Sequence, residues 1–111
     1  MVGKSVRYEL HGEKPTASKG TFFRRCRWGW KAIAELCKAL APEEARPCKD
    51  WQGKEGYGLN GPQALELAAK LDALLATGTV TKYLRDRDLG TEDDVCAFVA
   101  FLKASGGFSI T

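Results

Sequence analysis

FRRCRWGWK, Phe23 to Lys31, packs three arginines, a lysine and two tryptophans into nine residues. Two periodicities meet in it, that of a strand and that of a helix. Upstream, TFFRRC reads as a strand whose two faces both mix apolar and charged residues. Downstream, from Trp30, the apolar residues Ile33, Ala34, Cys37, Leu40 and Ala41 follow at the spacing of one helical face. The helix is expected to begin near Gly29 and to stop at Pro42. On that frame Trp30 points into the core, and Trp28 lies about 160° away around the axis. Arg24, Arg25, Arg27 and Lys31 must mostly face water, since a buried unpaired charge is too costly.

Upstream of this stretch, SVRYEL alternates Val6, Tyr8 and Leu10 against Ser5, Arg7 and Glu9, the pattern of a half-buried strand. His11 to Thr21 is a polar connection, so the two strands make a hairpin. On the other side, Glu43 to Gly61 reads as a long irregular link, with Trp51 and Tyr57 expected to pin it. Pro62 suits a helix first turn, capped by Asn60 or Gly61, and Ala64, Leu67, Ala68, Leu71, Leu74 and Leu75 form its apolar stripe. Gly78 closes that helix.

A shorter helix, about Val80 to Asp88, buries Val80, Tyr83 and Leu84. Thr91 is expected to cap a last helix whose buried face is Val95, Phe98, Val99 and Leu102. Glu92, Asp93 and Asp94 complement its N-terminal dipole. Gly106-Gly107 stops it, and FSI can add a closing strand. The expected fold class is α+β: one mainly helical domain, 1–111, of about four helices with a small antiparallel N-terminal hairpin and a short C-terminal strand.

Composition bounds the function. A chain of 111 residues with 44% hydrophobic residues can bury a core without metals or disulfides. Net charge is +3, too small to imply a nucleic-acid binder. Residues 1–50 carry eleven Lys/Arg against six Asp/Glu, and 51–111 carry six against eight. The chain is therefore dipolar, about +5 then about −2. MVGKSVRYELHGEK has no apolar run resembling a signal peptide, and no stretch is long and apolar enough to span a membrane. Reduced thiols in a cytoplasm are the expected state of Cys26, Cys37, Cys48 and Cys96.

The chemistry-bearing motifs are weak. GYGLNG, Gly56 to Gly61, matches G-x-G-x-x-G, but no buried strand precedes it and no βαβ unit surrounds it, so nucleotide binding is not expected. The cysteines lack the close pair of a zinc site; Cys37 falls on a buried face and Cys96 just beside one, whereas Cys26 and Cys48 could be exposed. His11, the only histidine, has no partner identifiable from sequence. RDRD, Arg85 to Asp88, reads as a solvated helical surface. No catalytic residue, cofactor or metal ligand is assigned, and the expectation is a non-enzyme.

Two residues are left over. Trp28 among arginines offers a stacking face on a cationic surface, as single-strand binders use, or a protein hot spot; the bland alternative places it against the long loop or under an arginine. Phe101 sits about 110–130° off the buried face of the last helix. Either that helix is buried on two sides, or Phe101 joins a contact patch. The candidate interaction surface is thus Arg24, Arg25, Arg27, Trp28, Lys31 and Phe101. The expected partner is a protein, in an accessory, inhibitor or regulatory role. A nucleic acid gripped by residues 24–31 is the second reading, and an enzyme or small-ligand binder at GYGLNG the third.

GLNGPQALELAAKLDALLATG and FVAFLKASGGFSI resemble parts of short, uncharacterised bacterial and phage-borne proteins. These carry a Trp-bearing helix, a glycine-rich turn, an Ala/Leu helix and a terminal Phe-rich helix ending in Gly-Gly-Phe. Some carry a Cys-x-x-Cys before the last helix, where this chain has only Cys96. The resemblance implies no activity; it implies a small accessory protein of a mobile element.

Overall fold

The computed structural model describes residues 7–111, so Ser5 and Val6 of the first expected strand lie outside the described residues. The hairpin is present: β1 (Arg7–Gly12) pairs antiparallel with β2 (Phe22–Cys26), with Leu10 opposite Phe23 and Glu9 opposite Arg24. β1 runs two residues beyond the expected end, through His11 and Gly12. The alternation has its physical cause in the sheet's two faces, for Leu10 and Phe23 are buried while Arg7 and Arg24 are exposed.

The connection between these strands is tied down rather than free. It contains a 3-10 turn at Ser18–Gly20. Lys14 N donates to Ser105 O at 2.9 Å and Thr16 N to Ala104 O at 2.8 Å. Within the connection, Gly20 approaches the Ala104 backbone so closely that a Cβ would lie 2.0 Å from Ala104 O.

β2 passes directly into α1 (Arg27–Leu40), which starts two residues before Gly29. A glycine inside a helix costs about 1 kcal/mol relative to alanine, so Gly29 looks like a boundary without being one. Pro42 ends α1 and opens a four-residue helix, α2 (Pro42–Ala45). The expected irregular link is therefore shorter than 43–61. It is shortened again by β3 (Gly58–Asn60), a strand that the sequence pattern did not suggest.

Of the two expected pins, Trp51 holds and Tyr57 does not. Trp51 is buried, stacks on Trp30 with ring centroids 5.8 Å apart, and donates from Nε1 to Ala45 O at 3.0 Å. The Tyr57 side chain is 37% exposed, and only its carbonyl serves the fold, accepting from Ile110 N at 2.8 Å.

α3 (Gly61–Ala76) carries a reciprocal cap. Gln63 N donates to Asn60 Oδ1 and Asn60 N to Gln63 Oε1, both at 2.9 Å, which satisfies two helix-end donors. Gly78 follows with φ +79. α4 (Thr79–Arg87) buries Val80, Tyr83 and Leu84. α5 (Asp93–Ser105) begins at Asp93, after Glu92 as its cap residue. Thr91 stands one residue outside the cap position, and its Oγ1 accepts from Asp93 N at a long 3.4 Å.

The closing strand, β4 (Gly107–Ile110), is central rather than peripheral. The sheet order is β2-β1-β4-β3, antiparallel throughout. α5 packs against α3 as well as the strands, so it is buried on two sides. That corrects the placement of Phe101, which is 1% exposed and belongs to no surface. Its ring lies 5.7 Å from Phe23, 6.4 Å from Phe98 and 5.9 Å from Phe108. With Trp30 and Trp51 these rings form one aromatic core, each well-placed pair adding about 0.5–1.5 kcal/mol beyond burial. Among the described residues, no helix is long and apolar enough to cross a membrane.

Candidate interaction surface around Trp28

The early start of α1 places Trp28 in its first turn, at 67% exposure, while Trp30 two residues on is fully buried. A 3.6-residue period sets the rest of the geometry. Arg27 and Lys31 fall on one flank of Trp28, Gly29 and Ala32 on the other. The Arg27 Cζ lies 5.2 Å and the Lys31 Nζ 5.8 Å from the indole centroid. Both cations draw on the ring's negative face, yet they leave most of it in solvent.

Arg24 and Arg25 do not join them. Arg24 Nε sits 3.0 Å from Glu9 Oε2, its cross-strand neighbour. Arg25 Nη2 sits 3.2 Å from Asp94 Oδ1, and its guanidinium lies 4.2 Å from the Phe23 centroid, closing the edge of the core. The structure thus divides the expected surface: Trp28, Arg27 and Lys31 stand together, Arg24 and Arg25 are held by carboxylates, and Phe101 is inside.

Trp28 is the ridge between two clefts. On the Ala32 side a cleft of 290 Å³ is walled by Leu84, Leu89 and Val95, with Asp88 and Asp94 among its lining. Leu89 is 38% exposed, so an apolar surface extends from the indole across to it. On the opposite side a second cleft of 320 Å³ is lined by Tyr8, Arg27, Lys31 and Gln52. The Tyr8 hydroxyl donates to Gln52 O at 2.8 Å, and Lys54 Nζ lies 4.8 Å from the Tyr8 centroid. One cleft is apolar with carboxylates; the other is polar with cations.

Leu89 and Asp88 were not legible as site residues. Asp88 takes a left-handed conformation, φ 53, which turns the chain after α4 and brings Leu89 towards α1. The available signal was a lone leucine between Asp88 and Gly90, in a stretch that reads as polar surface.

The remaining motifs resolve into structure. In GYGLNG, Gly58 lies in β3, where a Cβ would come within 1.8 Å of Phe108 O, and Asn60 caps α3. His11 Nε2 lies 3.5 Å from Glu9 Oε1 on the solvent-facing side of β1. Cys26 and Cys96 are exposed, whereas Cys37 and Cys48 are buried; Cys48 and Cys96 therefore exchange the environments expected of them. Burial pushes the Cys48 thiol up to about 11 and Cys37 higher still, so neither is a ready nucleophile. Among the described residues no group of three His, Cys, Asp or Glu side chains is arranged to hold a metal ion. A hollow of 410 Å³ near the end of α1 is lined by charges of both signs, Lys38, Glu43, Arg46, Lys49 and Asp50 among them.

No protein-family model, curated protein or solved structure matches this chain.

Proposed function

We propose that this protein is a small non-catalytic interaction module whose Trp28 ridge binds another protein. The observation that carries this reading is the indole of Trp28, two-thirds exposed beside an apolar cleft that reaches Leu89. An exposed tryptophan with adjoining arginine and a pocket has the composition of a binding hot spot. The cleft volume of 290 Å³ lies at the foot of the ~300–1,000 Å³ range of small-molecule sites. It suits one large side chain of a partner better than a cofactor. Free thiols suit a reducing cytoplasm, and a mobile-element accessory protein is the role in keeping with its size.

The nucleic-acid reading draws on Arg27 and Lys31 over the same ring. It is weakened because Glu9 and Asp94 already neutralise Arg24 and Arg25. Two cations and one indole make a small phosphate footprint.

Affinity capture from a host lysate, with nuclease-treated and untreated halves, tests the reading using wild type and Trp28→Ala. A discrete protein retained through nuclease and lost with Trp28→Ala supports it. Capture that vanishes with nuclease, and falls steeply with salt, transfers the surface to a polyanion.

A further inference from the structure

We infer that the protein which docks on the Trp28 ridge is a second copy of this chain, in a two-fold symmetric pair. The inference rests on the protein-binding reading and gives it an occupant. Its basis is the opposite charge of the two clefts that share Trp28. The apolar cleft has two carboxylates among its lining residues, Asp88 and Asp94, and no cation. The polar cleft has two cations, Arg27 and Lys31, and no carboxylate.

A symmetric pair uses the same patch on both partners, so the patch must complement itself. A two-fold axis running along the Trp28 ridge turns the basic flank of one copy over the acidic flank of the other. The same rotation, with the axis offset towards the apolar cleft, seats each indole in its partner's cleft beside Ala32 and Leu89. The cleft is sized for one large side chain, and Trp28 is the most exposed of the large hydrophobic residues described. Arg27 and Lys31 then reach the partner's Asp88. Like charges would face each other if the axis ran across the ridge, so the charges select one arrangement. Asp94 contributes less, since Arg25 already holds it at 3.2 Å.

Sedimentation equilibrium of the full chain, from micromolar to about 1 mM, reads the pairing directly. Wild type is expected to form dimers that weaken as salt is raised. Trp28→Ala is expected to raise the dimer dissociation constant at least about 30-fold, the size of a hot-spot loss. Arg27→Glu with Lys31→Glu, and separately Asp88→Lys, each set like charges opposite one another and are expected to sediment as monomers. Mixed in equal amounts, these two variants restore complementary charges in both halves of the interface and are expected to dimerise.

Circular dichroism confirms folding of each variant. Asp88→Asn, which tolerates the left-handed turn, replaces Asp88→Lys if the latter unfolds, and is expected to weaken the dimer. A monomeric wild type, a Trp28→Ala variant that dimerises normally, or a mixture that stays monomeric overturns the inference. A monomeric wild type that still captures a protein through Trp28 overturns self-pairing and leaves the proposed function standing.

Discussion

The indole Nε1 of Trp30 donates to the carbonyl oxygen of Trp51 at 2.6 Å while the two rings stack 5.8 Å apart. One residue comes from the first long helix, the other from the segment that follows α2. The pair fastens that segment to the core, with the hydrogen bond satisfying a buried donor and a buried carbonyl together. Trp51 Nε1 in turn donates to Ala45 O at 3.0 Å, so the fastening continues into α2.

Trp30→Phe should separate packing from hydrogen bonding at this contact. It keeps an aromatic ring but leaves the Trp51 carbonyl without its donor, an expected loss of about 1–3 kcal/mol. Trp51→Ala removes the stacked ring and should cost about 3–5 kcal/mol. Urea denaturation measures both. A loss for Trp30→Phe as large as that for Trp51→Ala would show that ring shape, not the donor, dominates.

Trp28→Ala and Phe101→Ala should behave oppositely in the same assay. Trp28 is exposed, so at protein concentrations low enough to keep the chain monomeric its truncation should leave stability within about 0.5 kcal/mol of wild type. Phe101 is buried among Phe23, Phe98 and Phe108, and its truncation should cost about 3–5 kcal/mol. Equal effects would contradict the division of these residues between surface and core.

Gly58→Ala places a methyl group 1.8 Å from Phe108 O, against the backbone of the central strand. The strands must separate, with an expected loss of about 1–3 kcal/mol. Amide hydrogen exchange should localise the damage, since Ile110 N bonds to Tyr57 O and Gly56 N to Ile110 O beside this position. Unchanged protection at Ile110 would count against the strand pairing.

The thiols should divide into two classes. At neutral pH a disulfide reagent should label Cys26 and Cys96 in the folded protein, and all four only after denaturation. The buried pair also sets an alkaline limit. Burial raises Cys48 from the ordinary value near 9 to about 11, and raises Cys37 further. Between these values the unfolded chain binds fewer protons than the folded one, so stability falls as pH rises. The contribution is complete below about pH 9 and declines as pH climbs towards and beyond 11. Thermal melts from pH 8 to 11 should show this decline, reduced in Cys37→Ala with Cys48→Ala. A flat profile in wild type would place both thiols in water.

What depends on neighbouring residues is written locally in the chain. Alternation in VRYEL and the 3.6-residue stripes of α1, α3 and α5 made β1, those three helices and the α+β class legible, because backbone period is a local matter, whereas α2 and β3 carried no such pattern. The opposed directions of Trp28 and Trp30 followed from helical angle alone. What depends on residues far apart in the chain emerges only on packing. No local pattern could set β4 between β1 and β3, since that order is fixed by pairing between the two ends of the described chain. Nor could it place Phe101, whose burial comes from α5 packing against both α3 and the strands. The cleft beside Trp28 is likewise assembled from distant segments, α1, the turn at Asp88 with Leu89, and the start of α5. A period says which way a side chain points from its own element; only packing says whether another element is there to meet it.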